Sequence, residues 1–126
     1  MEENEAVVRR AIDAFNRGDF EAVIELVHPE IEVIRLGGLP TVVGREAMHG
    51  LMLPDAFDSQ EIGIDDVRAE GDVVVISGPF HARGAGSGIE NSREAHSVAW
   101  IEDGLIRRMG TYFELDEALE AAGLTA

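Results

Sequence analysis

Residues 62–114 read IGIDDVRAEGDVVVISGPFHARGAGSGIENSREAHSVAWIEDGLIRRMGTYFE, and the punctuation of this stretch decides the fold. Four strand-like runs stand out: Ile62 to Ala69, Val73 to Arg83, Ile89 to Ile101 and Leu105 to Glu114. Glu70-Gly71-Asp72, Gly84-Ala85-Gly86-Ser87-Gly88 and Glu102-Asp103-Gly104 separate them with turn chemistry, and connections this short imply an antiparallel meander. Val73-Val74-Val75-Ile76 is apolar at both parities, which predicts burial on both faces of the sheet.

Working outward, the N-terminal side is helical. Val7, Val8, Ala11, Ala14 and Phe15 recur at three- and four-residue spacing and form one apolar stripe over Asn4 to Phe15, with Asn4 as the expected N-cap. Gly18 suits the left-handed position after that helix, and Asp19 caps a second one through Val27 that Pro29 stops. Glu30 to Leu36 then alternates as a strand, and Gly37-Gly38-Leu39-Pro40 turns it. Gly44 precedes a third helical segment over Arg45 to Met52 that Pro54 ends. Beyond the meander, Asp116 to Ala122 with Gly123 behind it predicts a short closing helix. Helices first and a long antiparallel sheet second make an α+β protein with its helices on one face. The other face of the sheet is then left for a second copy, so a homodimer through the sheet is expected.

The chain of 126 residues is the size of one domain. Its 10 Arg, with no Lys, against 25 acidic residues give a net charge of −15, which repels phosphate backbones and leaves no polybasic segment for an anionic membrane. Neither nucleic acid nor a membrane is an expected partner. The absence of Cys excludes disulfides, thiol nucleophiles and Cys-ligated metal sites. The acidic start Met1-Glu2-Glu3-Asn4-Glu5 is unlike a signal peptide and no apolar run is long enough to span a bilayer, so a cytoplasmic protein is expected.

Several segments in order, Ala14-Phe15-Asn16-Arg17-Gly18-Asp19-Phe20, Leu26-Val27-His28-Pro29-Glu30-Ile31-Glu32, Gly44-Arg45-Glu46-Ala47, the Trp100 to Ile106 turn and Glu117-Ala118-Leu119-Glu120-Ala121-Ala122-Gly123-Leu124, resemble the SnoaL-like branch of the nuclear transport factor 2-like superfamily. The resemblance covers nearly the whole chain. It implies a cone, a strongly curved sheet around a pocket closed by the three N-terminal helices, in proteins that often dimerise through the sheet. The same scaffold serves ketosteroid isomerases, polyketide cyclases, dehydratases, epoxide hydrolases and binding modules, so function has to come from the pocket residues.

Strand parity puts His96, Val98 and Trp100 on one face, and Arg108, Gly110 and Tyr112 on one face; the resemblance points both sets into the cavity. His96 falls where the isomerases carry an acidic member of the oxyanion hole. It is either a hydrogen-bond donor or general base, or a buried His satisfied by a neighbour. Arg35 falls near the isomerases' Asp base, but a guanidinium does not abstract protons at neutral pH; it either binds a carboxylate or enolate oxygen or pairs with Glu32 or another surface carboxylate. Ala11 stands where those enzymes carry a catalytic Tyr. Tyr112 either orients a ligand oxygen or is a packed ring with a wet tip. His81 faces His96 across the hairpin unless parity puts Phe80 inside. No metal-ligand spacing and no assembled Ser-His-Asp triad is present, and no cofactor is implied. His28 reads as structural at the end of the second helix, and His49 as a residue near the cavity mouth.

Two functions follow. One is proton transfer on a small apolar carbonyl compound, with His96, Tyr112 and Arg35 as the acting groups and Phe15, Val98, Trp100, Arg108 and His81 around the ligand. The other is a non-catalytic binding or accessory module using the same pocket, and a sheet-mediated protein-interaction domain ranks behind both.

Overall fold

The computed structural model describes residues 2–35, 39–51, 57–84 and 90–124. The expected turn at Gly37-Gly38, the helix stop at Pro54 and the hairpin residues Ala85 to Gly88 lie outside them. In chain order the elements are α1 (Glu2–Asn16), α2 (Phe20–Glu25), β1 (Val27–Ile34), β2 (Val42–Val43), α3 (Arg45–Leu51), β3 (Phe57–Ile62), β4 (Asp66–Glu70), β5 (Val73–Gly84), β6 (Glu90–Glu102), β7 (Leu105–Tyr112) and α4 (Leu115–Ala122).

The apolar stripe of α1 buries Val7, Val8, Ala11, Ile12 and Ala14. Because the helix starts at Glu2, Asn4 lies within its first turn rather than capping it, and its side-chain amide donates to the Gly71 carbonyl at 3.2 Å. Gly18 takes its left-handed φ of 75°, and the Asp19 carboxylate accepts from the Ala22 amide at 3.2 Å, as a helix cap should.

The expected second helix is cut short. It ends at Glu25, and β1 begins at Val27, paired in parallel with Ile106 of β7. Pro29 therefore sits inside a strand. The β1–β7 register is irregular between Val27 and Glu32, where a residue with no N–H to donate does least harm.

The sheet runs β2-β1-β7-β6-β5-β3, with β4 pairing the other half of β5, and it is curved and unclosed. Among the described residues all pairings but β1–β7 are antiparallel, and the short turns between β4 and β5 and between β6 and β7 require it of the pairs they join. The run expected from Ile62 to Ala69 is in fact two strands, and β3 reaches back to Phe57. Between them Gly63 and Asp65 still donate to Pro79 and Ser77, both at 2.8 Å, so the chain kinks along β5 without losing its hydrogen bonds. At β6–β7, Asp103 (φ 53°) and Gly104 (φ 77°) form a tight left-handed turn of the kind that matches strand twist.

Helices α1, α2 and α3 cover one face of the sheet, burying Val74, Ile76, Ala99, Ile101 and Ile106. The opposite parity of the apolar β5 run is also buried, but within the chain: Val75 and Val98 pack against Ala118 of α4, with Trp100 and Tyr112 at the margin. Val75 and Val98 are thus covered by α4 within the chain. No helix among the described residues is long and apolar enough to cross a membrane.

Candidate functional site

The three helices do not fill the concave face completely. A cavity of about 380 Å³ remains between them and the sheet. α1 contributes Ala11, Ile12 and Phe15, and Val23 and Met48 come from α2 and α3. The sheet contributes Ile76, Gly78 and Phe80 of β5, Ala95, Ser97 and Ala99 of β6, and Met109 and Thr111 of β7 with Phe113 just past it. Ser97 and Thr111 carry the polar side-chain groups of this described wall. They are register partners on adjacent strands, so two hydroxyls stand side by side in an otherwise apolar chamber. None of the described lining residues has a side chain that titrates near neutral pH.

The cavity therefore takes mainly one parity of β6 and β7, the opposite one from that expected, although Val98 of the expected parity also contributes to the wall. Ala95, Ser97 and Ala99 face it. His96, Trp100, Arg108, Gly110 and Tyr112 belong to the other face, where α4 lies. A one-residue slip in a correspondence between strands turns every side chain over, which is how a sound overall resemblance yields an inverted site. Side-chain size explains the outcome. Small residues leave room for a chamber, whereas Trp100 on the other face packs against the cluster that α4 covers.

His96 is 7% exposed, and its Nδ1 shares a hydrogen bond of 2.7 Å with Ser77 Oγ, so it is a buried His satisfied by a neighbour. Tyr112 packs on the α4 cluster and lies over Gly110. Arg108 stacks above Trp100, 5.0 Å from its ring centroid. His81 is exposed and pairs in register with Ser92, while His96 pairs with Ser77, so the two histidines do not face each other. Phe80 takes the inward place instead. Arg35 is half-buried just beyond β1 and is not part of the described wall; Glu32, its expected partner, pairs with Arg107 at 3.4 Å. His28 lies in β1 and not at a helix end, where its Nδ1 accepts from the Glu30 amide at 2.9 Å and its Nε2 is 3.6 Å from Glu102. Of the expected ligand-binding residues, Phe15 and Val98 line the cavity. Among the described residues no cluster of His, Asp and Glu is arranged to hold a metal ion.

Ser97, Thr111 and the alanines were not anticipated as site residues. Their signal was present in the alternation of small and large side chains along residues 95–100, but it tells inside from outside only once the position of α4 is known.

The SnoaL-like domain model matches residues 8–109. Among solved structures, the fold is shared with an NTF2-like protein of unknown function from Burkholderia pseudomallei (TM-score 0.81, 18% identity, 97% of this chain and 98% of that one). It is shared also with TerC co-crystallised with polyporic acid (0.79, 18%, 95% and 97%). An LEH-like epoxide hydrolase from M. tuberculosis is similar as well (0.78, 16%, 96% and 90%). No curated protein matches the chain in sequence.

Proposed function

The chain belongs to the SnoaL-like domain family, and from that premise we propose that it is a small-molecule pocket protein whose role is to bind an apolar compound bearing a carbonyl or hydroxyl oxygen. The observation that carries this reading is the wall of the cavity: apolar throughout except for the paired hydroxyls of Ser97 and Thr111. Burying an apolar ligand there gains about 25 cal/mol per Å² removed from water. The two hydroxyls reward a ligand oxygen placed beside them, since each can donate or accept. The proton-transfer reading loses its support, because His96 and Tyr112 lie on the far face and Arg35 is not in the described wall. Neutral Ser and Thr hydroxyls are not bases.

TerC was co-crystallised with polyporic acid, which makes that compound a reasonable first probe. The test is calorimetric titration with polyporic acid and a panel of small aromatic ketones, followed by mass spectrometry of the recovered compound. Saturable binding of a compound recovered unchanged supports the reading. Turnover of a bound ketone, or no binding across the panel, overturns it.

A further inference from the structure

We infer that Arg93 fixes an acidic end group of the bound molecule, so that the preferred ligand is an apolar body carrying a carboxylate. The inference rests on the pocket reading above and narrows its ligand class. Arg93 shares its β6 face with Ala95, Ser97 and Ala99, and its register partner on β5 is Phe80, so the strand carries it past Ala95 to a place beside the described wall, next to a lining residue. Its guanidinium carbon stands 3.9 Å from the centroid of the Phe113 ring, and Phe113 lines the cavity, as does Phe80. The ring holds the guanidinium by its face. A stacked guanidinium keeps its N–H groups in plane and free to form two parallel hydrogen bonds to a carboxylate.

The charge environment supports this role. In a chain with 25 acidic residues, Arg9, Arg17 and Arg107 each stand beside a carboxylate, at 2.9, 3.9 and 3.4 Å. Arg93 is exposed, yet among the described residues it has no ion-pair partner and rests on an aromatic ring. Its sequence neighbour Glu94 projects from the other side of the strand by parity. The net charge of −15 disfavours an approaching anion at long range, but that field is screened over about 8–10 Å in physiological salt, whereas a direct contact is not. Nothing in the described wall itself neutralises a carboxylate. Ser97 and Thr111 offer neutral hydrogen bonds only.

The experiment compares 2-naphthoate with its uncharged methyl ester by calorimetry, on the wild type and on Arg93→Gln, at low and high salt. The wild type is expected to bind the acid about tenfold more tightly than the ester, with the advantage shrinking as salt is added. Arg93→Gln is expected to remove that advantage while leaving ester affinity within about twofold, since the side chain is exposed and its loss leaves the fold intact. Equal affinity for acid and ester in the wild type, or an acid preference that survives in Arg93→Gln, overturns the role of Arg93 while leaving the pocket reading standing. Failure of both probes to bind overturns the pocket reading, and this inference with it.

Discussion

His96 of β6 and Ser77 of β5 are register partners whose side chains meet in a 2.7 Å hydrogen bond on the face of the sheet turned away from the cavity. The pair ties β5 to β6 through their side chains as well as their backbones. It satisfies the one buried polar residue among the described residues at a place where an unsatisfied imidazole would be costly.

Replacing His96 with Ala should therefore affect stability and not binding. The lost packing and the orphaned Ser77 hydroxyl predict a destabilisation of about 1–3 kcal/mol, read from urea unfolding. Affinity for a cavity ligand should stay within about twofold of wild type. A variant that keeps full stability but loses binding would show that His96 touches the ligand.

Ala99 is 5% exposed and lines the cavity. Ala99→Phe should fill the chamber from the sheet side, at a cost of about 1–3 kcal/mol from overpacking. The wild type should gain about 2.7 kcal/mol at a ligand concentration 100 times Kd, seen as a higher Tm. The variant should show no such gain. A ligand-induced rise in Tm equal to that of wild type would place the binding site elsewhere.

Two glycines should differ sharply. A Cβ on Gly78 would press on the Gly63 carbonyl group, 2.6 Å from its carbon, where the kink between β3 and β4 passes β5. Neither backbone can yield, so Gly78→Ala should cost more than about 2 kcal/mol. A Cβ on Gly110 meets the Ile34 Cβ at 3.2 Å and the Tyr112 ring at 3.3 Å. Gly110→Ala should be the milder change, about 1 kcal/mol, because the Tyr112 side chain can shift. Denaturant midpoints for the two variants check the order, and a reversed order would refute this account of the kink.

Ala118 of α4 is fully buried against Val75 and Val98. Ala118→Asp places an unpaired carboxylate in that cluster and should detach α4, at a cost of about 3 kcal/mol or more. The exposed apolar strip should then appear as increased binding of a hydrophobic dye or as self-association in gel filtration. Unchanged stability would mean that something other than α4 covers these strands.

Much of this molecule was legible in its sequence because the signals are local. The three-and-four spacing of α1, the left-handed Gly18 and Gly123, the Asp19 cap and the Asp103-Gly104 turn each depend on neighbours a few residues away, and each stands as expected. The misreadings have local causes too: Pro29 looked like a helix stop, yet it occupies an irregular position in β1 that only the pairing with β7 reveals.

The sequence by itself determined most of the elements and their order, the hairpin turns of the meander and which residues of β6 share a face, since these follow from backbone sterics and a period of two, whereas the short α2, the strand β2 and the split between β3 and β4 came from tertiary pairing. Tertiary structure decided which of those faces encloses the cavity. Both faces of β5 and β6 carry apolar residues, so the alternation is ambiguous until α1–α3 take one side and α4 the other. That choice depends on side-chain volume across elements far apart in the chain, where Ala95 and Ala99 leave space on one side and Val75 packs against Ala118 on the other.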